Sequence, residues 1–259
     1  MTTPTPVPTR GPLIRLEDVH LAFGARKILQ GVNMVFEPGR NNVVIGPSGS
    51  GKSTILRLVS GLLKPTAGRI FVDDQDITQL DAKALNAYRL RMGFLFQYSA
   101  LFDSMTVGQN VAFPITEHER RPHDEVQRVV EEKLSIVNLP GVEHLLPANL
   151  SGGMQKRVSL ARAIARDPSV ILYDEPTAGL DPVTSTVIED LIDKITHDFQ
   201  TTSIVVTHQL STIARGGIVY MLFGGQVVGA GTPDEMRHSE VSLIRDFLAG
   251  NVTQELAGD

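Results

Sequence analysis

From Leu13 onward the chain alternates short apolar runs with stretches in which apolar residues return every three or four positions, the pattern of a parallel α/β sheet layered with helices. Ile14, Leu16 and Val19, followed by Phe23, Ile28, Val32 and Val35, predict short strands separated by Gly24 and Gly31, together an antiparallel β-subdomain. Val43-Val44-Ile45 predicts a buried strand that enters a glycine-rich loop, and Ile55, Leu56, Leu58, Val59 and Leu62 mark a packed helix after it. Between about Phe94 and Pro168 the pattern turns mostly helical, with Val126, Val129, Val130, Leu134 and Val137 on one face. This places an inserted helical subdomain at about residues 98–165. Apolar strands at 170–173 and 204–206 flank a helix started by Asp181-Pro182 and carrying Val187, Ile188, Leu191 and Ile195. Gly224-Gly225 predicts a hairpin, and 241–248 an amphipathic segment that caps the domain or meets a partner.

Composition narrows this picture without locating a site. With 259 residues, 42% hydrophobic and 20% charged, the chain can bury one sizeable core with a subdomain, and a mean hydropathy of +0.01 is far from that of a membrane protein. The longest uncharged stretch, 216–233, is broken by Gly224, Gly225 and Gln226 and predicts two short β-runs in place of a membrane span. A net charge of -5 and a pI near 5.8 argue against a nucleic-acid partner. The absence of cysteine excludes disulfides, thiol nucleophiles and Cys-ligated zinc. Residues 1–12, rich in Thr and Pro, are expected to form a disordered leader, and 251–259 a tail, leaving one domain over 13–250.

The chemistry concentrates in three segments. Gly46-Pro47-Ser48-Gly49-Ser50-Gly51-Lys52-Ser53 matches the P-loop pattern, between a predicted strand and a predicted helix as phosphate binding requires. Its glycines let backbone amides from Gly49 to Thr54 wrap phosphates at a helix N-terminus; Lys52 then bridges the β- and γ-phosphates of ATP, and the Ser53 hydroxyl holds Mg²⁺. The second segment is an apolar strand ending in Asp174-Glu175. Alternation along the strand is expected to aim Asp174 at the Mg²⁺ shell and Glu175 at an attacking water. Alone, this pair reads equally as an acidic loop after a core strand. Leu150-Ser151-Gly152-Gly153-Met154-Gln155, the third, sits at a helix start and offers a second anion site, although on its own it reads equally as an ordinary cap.

P-loop, Leu-Ser-Gly-Gly signature and Asp-Glu strand, in this order over roughly Leu13 to Gly250, resemble the ATPase subunits of ABC transporters. The resemblance implies a P-loop NTPase core, RecA-like with a mixed sheet, carrying the N-terminal antiparallel β-subdomain and the inserted helical subdomain. It implies a homodimer in which Ser151, Gly152 and Gly153 close over ATP held by the partner's P-loop. It also implies that Phe23 stacks on adenine, Gln97 touches Mg²⁺ and the water, Asp181 belongs to the D-loop and His208 contacts the γ-phosphate. Singly, Phe23 reads as core, Gln97 as a surface amide and His208 as a packed histidine. Met154 departs from the family, where many members carry Gln, and Gln155 stands one residue too late to replace it.

The stretch from Phe94 to Pro114, notably Ala100-Leu101-Phe102-Asp103-Ser104-Met105-Thr106-Val107 and Asn110-Val111-Ala112-Phe113-Pro114, resembles the ATPases of bacterial phospholipid transporters that maintain outer-membrane lipid asymmetry. That subfamily works with a separate membrane permease and a lipid-binding MCE-domain subunit, at the cytoplasmic face of the inner membrane. Ala100-Leu101-Phe102 then either contacts the permease or is buried in the subdomain. Two alternatives are a motor for another solute and a non-transport ABC ATPase acting on nucleic acid or ribosomes. The latter usually carries a long coiled coil or two ATPase halves, and this sequence has neither. A non-hydrolytic scaffold would give Lys52, Glu175 and His208 no purpose.

Overall fold

Strand β3 (Asn41–Ile45) is buried along its whole length, and its side chains divide between two cores. Val43 and Ile45 face one hydrophobic cluster and Val44 the other, as the two-residue repeat of a strand dictates. The same division recurs in β7 (Val170–Asp174), β8 (Thr202–Val206) and β9 (Ile218–Phe223). A strand covered on both faces favours apolar residues on both, which is why 43–45, 170–173 and 204–206 stand out in the sequence, while the polar starts of β3 and β8 are buried with hydrogen-bond partners.

The computed structural model describes residues 11–251, so the expected leader over 1–10 and tail over 252–259 lie outside the described residues. Gly11 and Pro12, also expected in the leader, are buried: the Gly11 amide donates to the Gln200 carbonyl at 2.8 Å, and the Thr202 hydroxyl donates to the Pro12 carbonyl.

The central sheet runs β10-β9-β3-β8-β7-β6, with β6 (Met92–Leu95) at one edge and β10 (Gln226–Gly231) at the other. All neighbouring pairs are parallel except the β9–β10 hairpin. Over one face lies an antiparallel sheet, β2-β1-β4-β5, built from β1 (Ile14–Phe23), β2 (Arg26–Phe36), β4 (Ala67–Val72) and β5 (Gln75–Asp76). Helix α1 (Lys52–Val59) shares that core, and α2 (Ala82–Arg89) covers it through Tyr88 and Leu85. The other face carries α3 (Val107–Thr116), α4 (His123–Ile136), α5 (Gly152–Ala163), α6 (Pro182–Phe199), the short α7 (Leu210–Ala214) and α8 (Pro233–Arg237), and α9 (Ser242–Leu248). Ile244 of α9 is buried in this core, so the amphipathic segment at 241–248 caps the domain.

The expected antiparallel subdomain is present, with longer strands. Gly31 lies inside β2 at an irregularity in the β1–β2 register and does not end a strand. Three expected core positions are exposed. Leu62 lies beyond the end of α1 at Val59, Val35 points outward from β2, and Val187 sits off the buried stripe of α6, where Ile188, Leu191 and Ile195 pack. The helical pattern expected from Phe94 is also corrected, since Phe94 belongs to β6, hydrogen-bonded to β7. Four residues with one glycine make too short a run for period alone to separate strand from helix.

One side chain ties the two sheets together. Tyr220 of β9 donates its hydroxyl to the Val35 carbonyl at 2.8 Å and accepts from the Val35 amide at 3.0 Å. Its ring meets Phe36 edge-on at 5.9 Å. Tyr220→Phe leaves both backbone groups of Val35 without this partner and should lower stability by about 1–2 kcal/mol in urea denaturation, with an unchanged m-value.

Candidate nucleotide site

The C-terminal ends of three parallel strands converge on one edge of the central sheet. Val206 pairs with both Val44 and Asp174, so the residues that follow β3, β7 and β8 emerge side by side. This is where open α/β sheets bind ligands, because the loops there are free of the sheet's hydrogen bonding.

After β3 the chain forms the loop Gly46–Gly51 and enters α1 at Lys52. Gly46 is obligatory: its φ is +149°, and a Cβ there would lie 2.1 Å from the Leu222 carbonyl oxygen. Ser48 and Gly49 are exposed, and the Ser50 amide donates back to the Pro47 carbonyl at 3.3 Å. Among the described residues the Lys52 ammonium donates to the loop's own Gly46 and Pro47 carbonyls, at 2.9 and 3.0 Å, and is buried. Burial lowers its pKa, opposed by Glu175 and Asp174. The first α1 turn, through Thr54, holds no acidic residue, and its amides, which a helix start leaves without partners in the helix, stand at the loop.

Ser53 donates its hydroxyl to Asp174 Oδ1 at 2.9 Å, joining residues 121 apart in sequence. Burial raises the Asp174 pKa, partly offset by that bond. A hydroxyl and a carboxylate side by side make a hard oxygen donor pair that fits Mg²⁺. Among the described residues no cluster of three or more His, Asp or Glu offers an all-protein cage. Mg²⁺ takes few protein ligands and completes its shell with water and phosphate.

Glu175 is separated from Asp174 by a different device from strand alternation. β7 ends at Asp174, and Glu175 adopts a left-handed φ of +46° while its amide donates to the Val206 carbonyl at 2.9 Å. A non-glycine residue there stores about 1–3 kcal/mol of strain, a price met where the surroundings hold it. Its side chain is only 13% exposed, with Oε1 lying 3.0 Å from His208 Nδ1 and Oε2 buried without a partner among the described residues. An unpaired buried carboxylate oxygen is a proton acceptor waiting for a donor.

Lys52, Ser53, Asp174, Glu175 and His208 therefore form one cluster. The other expected residues stand around it without a hydrogen bond to it among the described residues. Phe23 ends β1 with its ring 56% exposed, available to stack. Gln97 follows β6 with an exposed side chain. Ser151 caps α5, accepting from the Met154 amide at 3.3 Å, with Gly152 in the first turn. A Cβ at Gly153 would lie 2.4 Å from Thr184 Cγ2, so the signature packs against the start of α6. Asp181 caps that helix, accepting from the Thr184 amide and hydroxyl at 3.0 and 2.6 Å; the hydroxyl bond is the main cause of its lowered pKa. Met154 is partly buried against the core, and Gln155 donates to the Pro147 and Leu150 carbonyls, bracing the loop before the signature.

Two features escaped the sequence reading. Glu189 of α6, 2% exposed, accepts from the Ser211 and Thr212 hydroxyls of α7 and pairs with Arg215, tying the helix after Asp181 to the helix after His208. Lys156 of α5, 3% exposed, donates to the Phe96 and Gln97 carbonyls. Burial pushes its pKa down to about 8, against the pull of Asp174 and Glu175. The signal for both was a charged residue falling on the apolar stripe of a helix.

Comparison with known proteins accords with this geometry. The family profile described as ABC transporter matches residues 29–178. The "Intermembrane phospholipid transport system ATP-binding protein MlaF" of Haemophilus influenzae is 39% identical over 92% of this chain and 90% of its own length. The chloroplastic protein "TRIGALACTOSYLDIACYLGLYCEROL 3" of Arabidopsis thaliana is 40% identical over 93% of this chain and 74% of its own. At 40% over 93% of this chain and 67% of its own stands the "Probable ribonucleotide transport ATP-binding protein mkl" of Mycobacterium tuberculosis. Among solved structures, a dimer of the ATP-binding cassette MJ0796 in a post-hydrolysis state with ADP and Pi superposes with a TM-score of 0.77 at 32% identity, covering 85% of this chain and 98% of that one. The cbiO1 subunit of the Clostridium perfringens cbiONQ transporter gives a TM-score of 0.81 at 28% identity, over 94% of this chain and all of that one. The chain belongs to the ABC transporter family and is one of its ATP-binding, ATP-hydrolysing subunits.

Proposed function

We propose that this ATPase powers phospholipid movement through a separate membrane permease, working as a homodimer with two shared ATP sites. The hydrolysis reading is carried by one observation, the Glu175 carboxylate with Oε1 at His208 and a buried, unpartnered Oε2, next in the chain to the Asp174 that accepts from Ser53. The lipid assignment rests on the near full-length similarity to MlaF.

In this mechanism Lys52 leaves its loop carbonyls for the β- and γ-phosphate oxygens, a charge-assisted exchange that the loop amides reinforce. Ser53 and Asp174 hold Mg²⁺, whose chemistry is to offset charge developing on the phosphates. Glu175 Oε2 accepts the proton of the attacking water, while His208, at Oε1, keeps the carboxylate oriented and faces the γ-phosphate. Gln97 adds a contact to that water or to Mg²⁺. Phe23 stacks on adenine. Ser151, Gly152 and Gly153 present the α5 N-terminus to ATP on the partner, beside Asp181 of the D-loop. Closure of the dimer by ATP is the step that moves the permease, and hydrolysis reverses it.

The permease contact falls at a cleft of about 310 Å³ between the β6 edge and the helical layer, lined by Phe94, Phe96, Phe102, Phe113 and Arg162 among others. Phe102 is 41% exposed while Leu101 packs into the core, so of that triplet Phe102 offers the apolar contact for a cytoplasmic helix. No helix among the described residues is long and apolar enough to cross a membrane. The chain is placed at the cytoplasmic face of the inner membrane through its permease, with an MCE-domain subunit in the same assembly. A motor for a different solute is the second reading, supported by the mycobacterial relative, whose name specifies ribonucleotide transport at similar identity.

Lys52→Ala should weaken ATP binding roughly 10- to 100-fold by calorimetry, the loss of a charge-assisted bond. Glu175→Gln should lower kcat by about 10²- to 10⁴-fold with ATP still bound and the dimer trapped, as gel filtration with ATP would register; unchanged turnover would remove Glu175 as the base. His208→Ala should likewise depress kcat and spare binding. Gentle detergent extraction of the native assembly followed by mass spectrometry should recover phospholipid, a permease and an MCE-domain subunit. A permease with a different solute-binding partner and no lipid enrichment would leave the motor and sink the lipid assignment.

A further inference from the structure

The segment that carries Gln97 is gripped from one side by α5. The Lys156 ammonium donates to the Phe96 carbonyl at 2.9 Å and to the Gln97 carbonyl. One turn on, the Ser159 hydroxyl donates to the Ser99 carbonyl. Arg162 then donates to the Ala100 carbonyl at 2.8 Å and the Ser99 carbonyl at 3.1 Å. Lys156, Ser159 and Arg162 recur every three residues and share one helix face. Ala100 adopts a left-handed φ of +47°, so this segment is held in a shape it would not choose alone.

Sheet register says where the gripped segment lies. Leu95 sits opposite Tyr173, so Phe96 and Gln97 leave β6 alongside Asp174 and Glu175 leaving β7. A helix-to-loop staple needs only a neutral donor, and burying a lysine without an ion-pair partner is unfavourable. Lys156 is buried where two backbone carbonyls accept its hydrogen bonds and the two site carboxylates favour its charge.

We propose that Lys156 is a positioning residue for hydrolysis: by holding the Phe96 and Gln97 carbonyls it fixes how Gln97 approaches the Asp174–Glu175 end of the sheet. Because it stands on α5, it also makes Gln97 follow the helix that begins at Ser151. An ATP that draws the signature forward at one site therefore shifts Gln97 in the other. This rests on Gln97 acting at the water or Mg²⁺, as proposed above.

A double-mutant cycle on ATP hydrolysis by the full chain separates the two ideas. Lys156→Met, similar in length but without donors, should lower kcat about 10-fold with KM for ATP within about twofold of wild type. Lys156→Arg, which keeps charge and donors, should restore most of the rate. In a Gln97→Ala background, Lys156→Met should cost nothing further. Multiplying losses in the double variant, or an effect confined to KM, would overturn the positioning role while leaving Gln97 in place. A wild-type rate for Gln97→Ala would overturn both. Should Lys156→Met fail to fold by thermal melting, Lys156→Gln, with a single amide donor group, carries the same cycle with a smaller expected loss.

Discussion

Every functional distance in this protein depends on the parallel pairing of β8 with both β3 and β7. Val206 is the common partner of Val44 and Asp174, and that one register fixes the P-loop, the two carboxylates and His208 at the same height. A slip of one residue in β8 would turn Ile204 and Val206 into the opposite core and move His208 away from Glu175. The two cores of β-branched and aliphatic side chains specify that register more firmly than the site could by itself. Site geometry is thus a by-product of packing on both faces of the sheet.

Given that frame, the site is organised by charges that cannot be solvated and must serve one another. Burial disfavours the charged form of Lys52 and of Asp174 alike, and each is among the groups that restore charge on the other. Ser53 supplies the carboxylate's hydrogen bond, and the loop carbonyls supply the lysine's. Glu175 has half of its capacity matched, through His208, and half unmatched. An arrangement with compensated binding groups and one under-satisfied acceptor is suited to bind a polyanion and to take up a proton, the two tasks that ATP hydrolysis sets.

Much of this was legible in the sequence because the informative features are local. The P-loop lies within eight consecutive residues, Asp174-Glu175 within two, and the caps Ser151 and Asp181 stand directly before their helices, where their side chains do accept the expected amides. Features made by contacts distant in sequence were not legible. β6 is a strand because β7 and α5 cover it, which Met92 to Leu95 cannot announce alone. The left-handed turn at Glu175 follows from its amide reaching Val206, 31 positions later, so the two carboxylates part by a contact that local alternation along the strand does not contain. Leu62 and Val187 failed as core positions because apolar identity says nothing about where a helix ends or how wide its buried stripe is.

The same locality explains why the motor names its chemistry more sharply than its cargo. In the proposed function the nucleotide site answers to one invariant ligand, whereas the cleft beside β6 would answer to a permease whose shape can change while Lys52, Asp174 and Glu175 stay fixed. Relatives of similar identity can therefore bear the names of phospholipid and of ribonucleotide transport without contradiction. The segment from Phe96 to Phe102 joins the two demands. Phe96 and Phe102 line the cleft, Gln97 lies between them, and Lys156, Ser159 and Arg162 hold the intervening carbonyls rigid. A permease helix seated in that cleft, as proposed, would bear on a segment with little freedom of its own, so its displacement would be shared with α5 and felt at Gln97. On that proposal, coupling between membrane and nucleotide would follow from a short stretch of backbone too firmly held to absorb the push.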